Sequence, residues 1–116
     1  MGDKSILKTI FHSTTSQDLS SAALDYTTAI DFDTMVSYVS IRFSTSVSET
    51  VTISIDSGEG SSYDVILEKG SFTSRQWIFW QPGAPLYLKK ATELRVQCTN
   101  TGATGTAYVV VAQVQA

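Results

Sequence analysis

The sequence predicts an all-β protein: an antiparallel β-sandwich of jelly-roll type with about eight strands. Three observations carry this. Apolar residues recur at period two in run after run. Clusters of Gly, Pro, Asn and Asp separate these runs at short intervals. No window sustains the 3.6-residue period of an amphipathic helix, and the nearest candidate, SQDLSSAALDY (16–26), is diluted by serine. At 116 residues, with no repeat or linker, the chain reads as a single domain.

The N-terminal segment MGDKSILKTIFH brings Ile6, Leu7, Ile10 and Phe11 ahead of a polar stretch. Such an apolar start is costly to leave in water. It reads as an edge strand of the chain's own sheet, with docking on a partner subunit as the alternative. Residues 13–23, STTSQDLSSAA, read as a loop or extended arm, so that residues 1–23 form an edge strand or arm plus loop. In YVSIRFST (38–45), Val39, Ile41 and Phe43 share one face, and Tyr38, Ser40 and Arg42 the other. ETVTISIDS (49–57) is the clearest strand, with Val51, Ile53 and Ile55 inward and hydroxyls outward. DSGEGSS (56–62) reads as the turn of a hairpin. Beyond it, Tyr63, Val65 and Leu67 share a face, and EKGSF (68–72) reads as a further turn.

WIFWQPGAPLYL (77–88) is an aromatic strand ended by Pro82 and Pro85. ELRVQCT (93–99) turns Leu94, Val96 and Cys98 inward. After the turn NTGATG, the last strand TAYVVVAQVQ (106–115) has apolar residues on both faces: Tyr108, Val110, Ala112 and Val114 on one, Val109 and Val111 on the other. A strand of this kind can be covered on both sides.

Composition narrows the function. Charged residues are only 16% of the chain, while 16 serines and 15 threonines fill the polar surface. Few charges then have to be desolvated when another neutral surface approaches. The net charge of -3 and the lack of a basic block argue against nucleic acid and against an anionic membrane surface. The single cysteine, Cys98, cannot form an internal disulfide, which fits synthesis in a reducing cytoplasm. No signal-peptide or membrane-spanning run is expected.

Each candidate site has a plain structural reading. Asp56 and Glu59 fit a hairpin tip better than a calcium loop, which needs six or more oxygens. Asp18, Asp25, Asp31 and Asp33 read as a solvated acidic edge. His12 is the only histidine and marks no triad. Cys98 reads as a small buried hydrophobe. Lys89 and Lys90 read as an exposed turn. No catalytic, cofactor or metal residue is expected, and the chain reads as a non-enzyme. The aromatic strand remains. Alternation puts Trp77 and Phe79 on one face, and Ile78 and Trp80 on the other, without saying which faces the core. The candidate interface or ligand platform is therefore Trp77, Trp80, Tyr87 and Phe11, read first as core and subunit contact and second as a sugar-stacking platform.

The order VTISIDSGEGSSYDVIL, then WIFWQPGAPLYL, then ATELRVQCTNTG and a valine-rich last strand, resembles the small β-sandwich virion proteins of tailed bacteriophages. The likeness is to the head-decoration or tail-associated kind, and it covers about the C-terminal two-thirds of the chain. The resemblance implies a virion structural protein made in the host cytoplasm, which self-associates, with a trimer expected first, and attaches to other virion proteins without a cofactor. A carbohydrate-binding module, or a receptor-binding appendage domain that grips surface glycans, is the alternative.

Overall fold

A computed structural model of the chain describes residues 10–30, 32–56 and 65–115. These form nine strands and no helix. The strands are β1 (Ile10–Asp18), β2 (Leu24–Ala29), β3 (Thr34–Val47), β4 (Thr50–Asp56), β5 (Val65–Ser71), β6 (Arg75–Trp80), β7 (Leu86–Leu88), β8 (Glu93–Cys98) and β9 (Thr106–Gln115). One sheet runs β1-β9-β3-β6, with β7 also on β3; the second runs β2-β8-β4-β5. Every pairing is antiparallel.

The pairings nest. β4 pairs with β5, β3 with β6 and β7, β2 with β8, and β1 with β9. The strands thus form one long antiparallel ribbon, doubled back between β4 and β5 and rolled so that successive pairs fall in alternate sheets. Contacts β3·β9 and β4·β8 then close each sheet across the roll. This is the expected jelly-roll sandwich.

The period-two readings place the core. Val39, Ile41 and Phe43 of β3 meet Val51 and Ile53 of β4, Leu94, Val96 and Cys98 of β8, and Val109 and Val111 of β9 in one buried cluster. A smaller cluster of Ile30, Val36 and Leu88 sits at the other end, with Ile55, Trp80 and Leu86 packed against it. Short β7 pairs with residues 34–36 of β3, so Pro82 and Pro85 interrupt an edge that β3 spans in one piece.

Three expectations need correction. Residues 13–18 are not a loop or arm but the continuation of β1, paired residue by residue with β9. Threonine and serine suit an edge strand whose outer face meets water. Gly70 does not form a turn; it lies within β5 opposite Val51, and the turn follows at residues 72–74. The alternation expected around Val65 and Leu67 is broken by a bulge, since Ser54 pairs with Ile66 and Ile53 with Glu68. Val65 and Ile66 are exposed. Tyr63 and the glycine-rich turn with Glu59 lie outside the described residues, as do Ile6, Leu7 and Asp31.

One corner is held by charge. Glu49, between β3 and β4, is 5% exposed. Its Oε1 accepts hydrogen bonds from Thr99 Oγ1 (2.7 Å), Thr101 N (3.0 Å) and Thr101 Oγ1 (2.9 Å), and its Oε2 accepts from Gly102 N (3.0 Å). Its backbone carbonyl accepts from Phe72 N at 3.0 Å. Two sheet-to-sheet crossings, β3 to β4 and β8 to β9, are thereby tied together, along with the end of β5. Burial pushes the carboxyl up, but the Thr99, Gly102 and Thr101 donors outweigh it and hold the group at about 2.

Positive φ marks the turns at Ser74, Ala91 and Gly105. Ala91 has φ 77°, and Thr92 N bonds Lys89 O at 3.1 Å, the pattern of a type II turn that favours glycine in the third position. Gly105 has φ 81°, and an added Cβ would lie 2.5 Å from Ser44 Oγ, so a side chain there would force its neighbours to shift.

Two predictions follow from these contacts. A depressed carboxyl pKa gives stability that is complete above the ordinary value and is lost as pH falls toward the folded one. Glu49→Gln should therefore cost about 1–3 kcal/mol in urea unfolding at neutral pH. Its deficit against wild type should shrink as pH falls from about 4.5 to about 2. A deficit independent of pH would deny Glu49 this role. In thermal unfolding, Ala91→Gly should stabilise by about 0.5–1 kcal/mol, whereas Gly105→Ala should destabilise by more than about 1 kcal/mol.

Candidate functional site

Directly paired residues of adjacent strands share a face, so the register fixes which side chains line the outside of each sheet. On the five-stranded sheet, successive cross-strand rows are Ser16, Tyr108, Arg42 and Trp77; then Thr14, Val110, Ser40 and Phe79; then His12, Ala112 and Tyr38. After a bulge at Ser37 comes the row of Ile10, Val114, Met35 and Tyr87. Of the eight large hydrophobic residues that are exposed among the described residues, five lie in these rows: Ile10, Trp77, Phe79, Tyr87 and Tyr108. The rows carry one full charge, Arg42.

Trp77, Phe79, Tyr38 and His12 of this face form a connected strip. Trp77 and Phe79 rings stand 5.6 Å apart, Phe79 and Tyr38 5.2 Å, and Tyr38 and His12 6.4 Å, all tilted. Ala112 lies between Tyr38 and His12 in the register and is fully buried. Its small side chain lets the flanking rings approach over β9. The Arg42 guanidinium carbon sits 5.0 Å from the Trp77 ring centroid, and Trp77 Nε1 donates to Ser40 Oγ at 2.9 Å. These contacts hold the indole against the sheet with 49% of its surface exposed.

The outer face of the second sheet has the opposite character. Its rows include Asp25, Gln97, Thr52 and Lys69, then Thr27, Arg95, Ser54 and Ile66. Arg95 grips Asp25 with two hydrogen bonds of 2.7 Å. That fork lowers the Asp25 pKa, against the smaller opposing effect of burial.

The four expected platform residues separate. Trp77 and Tyr87 lie on the outer aromatic face, at opposite ends of its rows. Trp80 faces the other way: it pairs with Val39, is half-buried, and packs against both core clusters. Phe11 points to the inner side at the β1 edge, opposite Gln113, with its ring 4.8 Å from Phe32. Tyr38, Arg42 and Tyr108 belong to the face and were not singled out by the sequence. No local signal marks them, because register alone assembles the strip.

A cleft of about 550 Å³ opens on the side of the sandwich where β5 and β6 are the edges. β1 and β2 touch across the opposite side, while β5 and β6 make no comparable contact. The cleft floor is Val51 and Ile53; Ile78 and Trp80 form one wall.

Two of the remaining candidates, Asp18 and Asp33, are tied into local structure. Asp18 accepts from Ser20 Oγ (2.6 Å) and Ser20 N (3.0 Å), which lower its pKa and shape the β1–β2 turn. Asp33 accepts from Lys90 N at 2.9 Å. Asp18, Asp25 and Asp33 thus serve separate turns and strands and do not converge. Among the described residues no group of three His, Cys, Asp or Glu could hold a metal. Burial, then the Glu49 charge, push the Cys98 thiol up to about 11. No helix among the described residues is long and apolar enough to cross a membrane. No protein-family model matches the chain, and no curated protein matches it.

The two tryptophans should respond differently to truncation. Trp80→Ala removes an indole from two core clusters and should cost about 2–3 kcal/mol. Trp77→Ala removes surface contacts worth about 1 kcal/mol. Urea unfolding of both variants checks the order, and equal costs would contradict the facing described above.

Proposed function

We propose that the protein is a non-enzymatic structural protein that self-associates through the outer face of its five-stranded sheet. The observation that carries this reading is the aromatic, nearly uncharged face built from β1, β9, β3, β6 and β7, set against the charged outer face of the second sheet. Contiguous exposed apolar surface of this kind marks contact sites. Its make-up, three tyrosines with Trp77, Phe79, Met35 and Arg42 and no acidic group in the rows, is that of an interface centre. Trp77, with Arg42 over its ring, is the natural anchor of such a contact.

The resemblance to tailed-phage β-sandwich virion proteins extends the proposal to a finer statement. The protein decorates or cements a capsid or tail assembly as a homo-oligomer, a trimer first. What supports the extension is the shared order of strands and turns and a working surface made for another protein.

Apolar burial drives such association, so it should persist at high salt. Size-exclusion chromatography with light scattering, at low and high ionic strength, is the test. The expected result is one oligomeric mass at both, and monomer for Trp77→Glu or Tyr108→Lys. A wild-type monomer that also fails to bind phage particles would end the proposal.

A further inference from the structure

We propose that the cleft between β5 and β6 is a binding site for a neutral oligosaccharide. It opens on the flank of the sandwich, meets the face assigned to self-association only at Phe79, and does not depend on that assignment. The cleft lies between the two sheets, where the inner faces of β5 and β6 part at the open side of the sandwich. Its volume of about 550 Å³ is that of a small-molecule site.

The lining selects the ligand. Trp80 and Ile78 present an apolar wall from β6, over a floor of Val51 and Ile53. From β5, Gly70 faces them without a side chain: an added Cβ would have no atom within 4 Å, so the cleft stays open there. Glu68 and Arg75 are exposed among the lining residues, one a hydrogen-bond acceptor and one a donor. Ser71 and Thr73 add hydroxyls. A sugar ring matches this arrangement, with C–H faces for the indole and hydroxyls for the carboxylate and guanidinium. Opposite charges leave little net field at the mouth, which favours a neutral sugar over a uronic or sialic one. A peptide fits less well. The strands turn side-chain faces toward the cleft, so an inserted backbone would lose water from its amides without a ladder partner.

The test titrates the full chain with cellohexaose, xylohexaose, mannohexaose, maltohexaose and chitohexaose, read by tryptophan fluorescence and calorimetry. At least one should bind and change the indole emission. Gly70→Leu fills the cleft from an open position. It should weaken that binding at least tenfold while leaving thermal unfolding and the oligomeric mass as in wild type. Trp77→Phe removes the other indole and should leave both affinity and signal in place, which assigns the emission change to Trp80. The proposal is overturned if none of the neutral probes binds, if Gly70→Leu binds as wild type does, or if Trp77→Phe abolishes binding. Binding confined to oligogalacturonate or to an extended apolar peptide, run alongside, overturns it too. Because the oligomeric mass is measured on the same variants, failure here is distinguishable from failure of self-association.

Discussion

The sandwich depends on the pairing of β3 with β9. β3 is 14 residues long and sits inside its sheet, with β9 on one side and β6 and β7 in succession on the other. β1, β6 and β7 pair directly with these two strands, and the core of the second sheet packs on their inner sides. The inner sides of β3 and β9 supply Val39, Ile41, Phe43, Ala107, Val109 and Val111 to the core. Their outer sides supply Tyr38, Arg42, Tyr108 and Val110 to the aromatic face. A one-residue slip in this register would exchange the two sets, placing Arg42 and Tyr108 in the core. The bulge at Ser37 and the Glu49 corner limit such slippage from opposite ends of β3. Glu49 does so by joining the crossing that leaves β3 to the crossing that enters β9.

Much of the architecture could be read from the chain. Val39, Ile41 and Phe43, and Leu94, Val96 and Cys98, are buried as their alternation implies, because a strand with one wet face leaves that imprint. β1 beyond His12 could not be read. Its residues Ser13 to Asp18 are polar on both sides, and hydroxyls serve equally well in a loop or on a sheet edge. The inner ones remain partly buried, and Ser13 Oγ accepts from Thr28 Oγ1 across the sheets at 3.1 Å. β5 misled the period because its bulge inserts an extra residue. The turn expected at Gly70 moved for another reason: glycine there leaves space opposite Val51 rather than providing a bend.

The aromatic strand shows where sequence stops. Alternation divides Trp77 and Phe79 from Ile78 and Trp80, but parity has no sign until a partner strand provides one. Pairing of Trp80 with Val39 and of Trp77 with Arg42 supplies it. The same limit applies to Glu49, whose side-chain donors lie about fifty positions along the chain. It applies to the cleft as well, whose walls belong to different sheets. Sites assembled by register and by stacking of sheets leave no local spacing to find.

The different placement of face and cleft has a consequence for an assembled particle. The face lies on the broad outer side of one sheet, and the cleft opens along the narrow flank of the sandwich. Copies joined through their faces would keep their flanks turned to solvent. Each oligomer would then display several identical weak sites at fixed separation. A polymer reaching two of them binds the second at a high local concentration, so overall avidity can exceed single-site affinity by about 10²–10⁴ with no new contact. Spacing between subunits, rather than depth of any one cleft, would then determine how firmly a repeating chain is held.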